Sequence, residues 1–124
     1  MFINISNHPA MKWSAEQVAA ATKEDKIVDL GFPQVDPKAT EEELSALVWE
    51  WAQKVRALAC EPGSRALPGV VVHLMGETGF VCRLSKELHY SGATVVHSTT
   101  AREVVERNGV KESVFRFVQF RRTW

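Results

Sequence analysis

The sequence predicts a small Rossmann-like α/β fold: a mostly parallel sheet with flanking helices and a C-terminal antiparallel hairpin. Three observations predict it. Short runs of β-branched and aromatic residues alternate with stretches of helical periodicity. The segment Val70-Val71-Val72-His73-Leu74-Met75 is a near-continuous apolar run, as in a central strand covered on both faces. Asn108-Gly109, between two strand-like stretches, is a strong hairpin signal because both turn positions tolerate positive φ. The 124 residues fit a single domain, 1–124, with no repeat or linker.

Each element has its own justification. Phe2-Ile3-Asn4-Ile5 is rich in strand formers and makes strand one. Ser14-Ala15-Glu16-Gln17 opens a helix with Ser14 as N-cap, and Ala-rich sequence carries it to about Lys23. Ile27-Val28-Asp29-Leu30 is a short second strand, ended by Gly31-Phe32-Pro33. Thr40 with Glu43 forms a capping box, and Glu41, Glu42 and Glu43 suit the helix dipole. Leu44, Leu47, Val48, Trp51, Val55 and Leu58 then recur at helical spacing, and the helix stops near Cys60. Strand three is 70–75. A helix follows from about Thr78 to His89, with Phe80, Val81, Leu84 and Leu88 as its apolar face and Ser91-Gly92 as its end. Strand four is 93–97. Asn108-Gly109 joins 102–107 to 112–121 as a hairpin, with a short helix at 102–108 as the alternative. Right-handed crossovers set the two helix layers on opposite faces of the sheet.

Composition narrows the function classes. Hydrophobic residues are 45% and charged residues 24%, as in an ordinary globular chain. Fifteen Lys and Arg balance fifteen Asp and Glu. That zero net charge argues against a long nucleic acid, which needs a basic face, and leaves room for a small anionic ligand. Cys60 and Cys82 form no disulfide framework and are expected as reduced, mostly buried thiols. The start Met1-Phe2-Ile3-Asn4 carries no basic region, and no apolar run reaches the roughly 20 residues of a membrane span. The expectation is a cytoplasmic protein without a membrane partner.

Three polar clusters follow apolar strands, and neighbouring parallel strands would bring all three to one rim, where open α/β sheets bind ligands. The first is Ser6-Asn7-His8-Pro9, with Lys12 and Trp13 behind it. Backbone N–H groups converging there hold anions, His8 can donate to a phosphate or shuttle a proton, and Trp13 can stack on a base. A plain turn with Trp13 in the core explains the same residues. The second is Gly76-Glu77-Thr78-Gly79, whose glycines permit close backbone approach; a tight turn capped by Thr78 is the alternative. The third is Ser98-Thr99-Thr100 with Arg102, suited to a phosphodiester, or else to strand-end hydrogen bonding. His73 and His97 lie inside strands and read as sheet residues. Arg116, Arg121 and Arg122 read as a solvated strand face. No Walker, dinucleotide or metal-ligand pattern is present, so neither cofactor nor metal is expected.

Ile3-Asn4-Ile5-Ser6-Asn7-His8-Pro9, the strand ending Met75-Gly76-Glu77, and Ser98-Thr99-Thr100 with Arg102 resemble the small stand-alone CRISPR-associated proteins related to the CARF domain. The resemblance spans nearly the whole chain. Several such proteins are ring nucleases that bind cyclic oligoadenylate, the messenger of type III CRISPR systems, and cut it to end the response. The resemblance implies a CARF-like domain and ligand contacts from Ser6, Asn7, His8, Gly76, Glu77, Ser98, Thr99, Thr100 and Arg102. Trp13 and Thr78 join these from their own positions. It further implies a homodimer with the ring across the two-fold axis, cyclic tetra-adenylate being the expected ring. Cleavage would be metal-independent transesterification, with His8 moving the proton and Arg102 taking the phosphorane charge. A lysine that some relatives use in the third cluster has no counterpart here. A sensor that binds cyclic oligoadenylate or another nucleotide without cutting is the nearest alternative, and an enzyme on another small nucleotide or phosphorylated substrate is the next.

Overall fold

The computed structural model describes residues 1–23 and 26–124. Among the described residues, five strands form one sheet: β1 (Phe2–Ile5), β2 (Ile27–Asp29), β3 (Val71–Leu74), β4 (Thr94–Arg107) and β5 (Val110–Arg122). Their order is β2-β1-β3-β4-β5, parallel throughout except for β5, which runs antiparallel to β4. Three helices, α1 (Ala15–Thr22), α2 (Glu41–Ala59) and α3 (Thr78–Tyr90), make the crossovers between the parallel strands. Chain order reverses between β1 and β3, the place where open α/β sheets leave a crevice beyond their strand ends.

The expected helix starts are present. Ser14 Oγ accepts from Gln17 N at 3.2 Å and opens α1, after a single 3-10 turn at Ala10–Lys12 that the sequence did not suggest. Thr40 and Glu43 form the capping box of α2: Glu43 N donates to Thr40 Oγ1, and Thr40 N donates to the Glu43 carboxylate. Alternation along the strands sorts side chains onto two faces. Ile3, Ile5, Val72, Leu74 and Val95 pack into one core with Val48 and Val55 of α2 and Phe80, Leu84 and Leu88 of α3. Burying one such leucine contributes about 2 kcal/mol. Arg56 pins α2 to α3, donating to the Glu87 carboxylate at 2.8 Å and to Ser91 Oγ at 3.0 Å.

The opposite face carries Phe2, Asn4 and His73 and is covered by α1, Trp13 and β5. Phe120 of β5 meets the Phe2 ring at 5.3 Å and the Trp13 ring at 6.0 Å. Because β3 and β4 lie between β1 and β5, this contact shows that the sheet curls over at its C-terminal edge. The two helix layers therefore lie on opposite faces, as the crossovers require.

Four details correct the sequence reading. Strand four does not end at His97: β4 continues unbroken to Arg107, so Ser98, Thr99 and Thr100 are interior strand residues, and 102–107 is strand and not helix. Threonine's branched Cβ suits a strand as well as a cap, which is why the cluster reads ambiguously. Leu58 is 41% exposed, because the apolar stripe of α2 has rotated away by its last turn. Cys82 is exposed and Cys60 half-buried; Cys82 lies off the Phe80–Leu84–Leu88 stripe of α3. The cap of α3 is Glu77, with Thr78 the first helical residue. No helix among the described residues is long and apolar enough to cross a membrane.

Candidate functional site

A cavity of about 870 Å³ opens on the face carrying Asn4 and His73, above the C-terminal ends of β1 and β3. The loop after β1 supplies Ser6, Asn7 and His8. Lys12 and Trp13, then Ser14 and Gln17 at the start of α1, form one wall. His73, Met75 and Gly76 come from β3 and its loop. The far wall is the hairpin, through Ser98 and Thr100 of β4 and Phe115 and Phe117 of β5. Among the described residues, the lining thus holds one lysine, two histidines, several hydroxyls and three aromatic rings, and no carboxylate.

A buried hydrogen-bond network forms the floor. Asn4 Nδ2 donates to Asp29 Oδ1 at 2.8 Å and to the His8 carbonyl at 2.9 Å. Those two acceptors orient the amide, so Asn4 Oδ1 faces His73 Nδ1 at 2.9 Å and Ser6 Oγ at 2.8 Å. Trp13 Nε1 also donates to the His8 carbonyl, at 2.9 Å. One carbonyl at the tip of the loop therefore anchors strand, loop and aromatic wall. The Asp29 carboxylate is taken up by Asn4 and by Ala10 N, which turns it away from the cavity. On the far side, His73 Nε2 stands 3.3 Å from Ser98 Oγ. Burial holds His73 well below its ordinary range, at about 4, with the charges of His97 and His8 adding to the effect.

Of the residues singled out from sequence, Ser6, Asn7, His8, Trp13, Gly76, Ser98 and Thr100 meet at this cavity. Four others lie outside its lining. Glu77 accepts from Phe80 N at 2.8 Å and Gly79 N at 3.0 Å, and these bonds hold its carboxyl below the usual range. Thr78 begins α3. Thr99 points to the opposite side of β4 from Ser98 and donates to the Gln119 carbonyl. Arg102 shares the cavity side of β4 with Thr100, but its guanidinium donates to Ser113 Oγ at 2.8 and 3.1 Å. Gly76 serves packing as well as the rim: a methyl there would overlap the Phe32 ring. The sequence reads His73 as a sheet residue, and Asn4, Ser14, Gln17, Met75, Phe115 and Phe117 are not among the predicted site residues. Asn4 and His73 share a face because β1 and β3 pair in register at those two residues, which local periodicity does not reveal. Among the described residues, no three His, Cys, Asp or Glu side chains group as metal ligands would.

A model of the family described as "Uncharacterized protein MJ1673 family" matches residues 1–121. No curated protein and no solved structure matches the chain.

Proposed function

The chain belongs to the MJ1673 family, and we propose that it binds cyclic oligoadenylate, with cyclic tetra-adenylate as the expected ring, and cleaves it without a metal. One observation carries the reading: a hydroxyl-rich cavity, lined by no carboxylate among the described residues and holding Lys12, His8 and three aromatic rings, lies at the crevice where chain order reverses. A phosphodiester flanked by purines needs those features, namely donors and a cation for phosphate and flat apolar faces for bases. The strand order supports reading the fold as a small Rossmann-like, CARF-related domain. In the cleavage step a ribose 2′-oxygen attacks the adjacent phosphorus in line and the 5′-oxygen leaves with its bonding pair. A 2′,3′-cyclic phosphate and a 5′-hydroxyl remain. The protein aligns the attacking oxygen and stabilises the phosphorane charge, which positioning and fixed donors accomplish. Lys12 and His8 of the cavity lining would take that charge, and Arg102 could join them only by giving up its bonds to Ser113. The two-fold symmetry of such a ring suits a homodimer in which each copy holds an equivalent half. The exposed Val104, Val110, Phe115 and Val118 of the hairpin support such a partner.

The test is incubation of the purified protein with labelled cyclic tetra-adenylate in EDTA. Linear products ending in 2′,3′-cyclic phosphate are expected. His8→Ala and Arg102→Ala should each lose at least about tenfold in rate, roughly 1.4 kcal/mol of barrier. Stable binding with no shorter product over hours makes the protein a sensor and rejects cleavage.

A further inference from the structure

We propose that Ser98, His73 and Asn4 form a proton relay that takes up the proton of the attacking ribose hydroxyl, with Asp29 holding the relay in register. The inference rests on the ring-cleavage reading above and assigns its proton acceptor to the cavity floor, in place of the exposed His8.

The geometry fixes the direction of each bond. The Asn4 amide nitrogen is committed to two acceptors, the Asp29 carboxylate and the His8 carbonyl. The atom Asn4 offers His73 is therefore its carbonyl oxygen, which only accepts. His73 Nδ1 accordingly carries the ring proton, and Nε2 keeps its lone pair. That lone pair faces Ser98 Oγ at 3.3 Å, on the cavity side. The imidazole is locked by ring contacts with Trp13 and Phe120, both at 5.3 Å, and is only 2% exposed. The Ser98 hydroxyl is therefore the bridge between a fixed, neutral base and whatever occupies the cavity. Ser98 Oγ also lies 2.8 Å from Met75 Sδ, but a thioether is a much weaker acceptor than an imidazole nitrogen. An oriented serine, histidine and amide is the general arrangement by which a hydroxyl loses its proton without a strong base in bulk water.

The step balances. The ribose 2′-hydroxyl gives its proton to Ser98 Oγ as the Ser98 proton passes to His73 Nε2, and the 2′-oxygen forms its bond to phosphorus. The bond from phosphorus to the 5′-oxygen breaks, and that oxygen takes its pair and a proton from solvent. The imidazolium then releases its proton to solvent, so no net proton is consumed.

Single-turnover cleavage of labelled cyclic tetra-adenylate, with affinity measured in parallel, tests the relay. His73→Gln should bind the ring within about threefold of wild type and cleave it at least about 100-fold more slowly, the usual scale of general-base loss, and Ser98→Ala, which also removes a ligand contact, should lose a comparable factor in rate at saturating ring. Ser98→Thr, which keeps the hydroxyl, should restore most of the rate. Among the described residues, the ionisable groups around His73 are His8 in the loop after β1, Asp29 on β2 through Asn4, Lys12, His97 on β4 and Arg122 on β5. Against that background the wild-type rate should fall below about pH 4, where His73 gains its proton, and this limb should vanish in His73→Gln. If wild type cleaves and His73→Gln stays within threefold of it, the relay is overturned while ring cleavage stands. If wild type binds without cleaving, both are overturned.

Discussion

An unfolded chain protonates the His73 imidazole near pH 6.5, whereas the folded sheet keeps it neutral down to about 4. Between those values the unfolded state binds the extra proton, so acid favours unfolding. The contribution is fully present above about pH 6.5 and is lost progressively down to about pH 4, roughly 3 kcal/mol in all. Urea titrations across this window should show the loss in wild type and a flatter response in His73→Gln. The same residue shows why the site was only partly readable. Ser6, Asn7 and His8 follow an apolar run directly, so a local reading finds them. His73 acts through Asn4, 69 positions away, and nothing local to either residue announces the pair.

The β4–β5 hairpin was legible at its turn and not at its base. Asn108 and Gly109 both have positive φ, 53° and 77°, as the two-residue turn requires. Its base was hidden because β4 leaves the parallel sheet without a break, through a bulge between Thr99 and Thr100 where Val118 of β5 is the extra residue. Beyond the bulge the hairpin is a two-stranded ribbon, bridged by Arg116 to Glu103 at 2.6 Å. Such ribbons are marginal on their own. Gly109→Ala should therefore cost about 1 kcal/mol locally. Hydrogen exchange should show lost protection from about 102 to 116 with little change in the core. By contrast, Thr40→Ala removes half of a capping box from the helix that covers β1 and β3. It should lower global stability by about 1 kcal/mol, read as an unchanged slope and a lower midpoint in urea.

The molecule carries no net charge, so attraction for an anion must come from the cavity and not from an overall field. Ligand binding should then raise thermal stability by simple mass action. Cyclic tetra-adenylate at a hundredfold excess over its Kd should add about 2.7 kcal/mol, a Tm rise of about 10 °C for a domain of this size. Mononucleotides at the same concentration should add little; equal stabilisation by AMP would favour a different small-nucleotide site. The strand and helix alternation was readable throughout because each segment announces its own period. The curl that brings β5 over β1 was not, since it depends on Phe120 meeting Phe2 from opposite ends of the chain.

The strand order has a consequence for how the chain is made. β1 takes both neighbours from later sequence, β2 at Ile27–Asp29 and β3 at Val71–Leu74. At synthesis rates of about 5 to 20 residues per second, the interval between β1 and its second partner is roughly 3 to 14 s. For that time Phe2, Ile3 and Ile5 lack the sheet that later hides them. The polar amide of Asn4, fixed in the finished protein by Asp29 and His73, interrupts this apolar stretch and lowers its tendency to pair with other nascent chains.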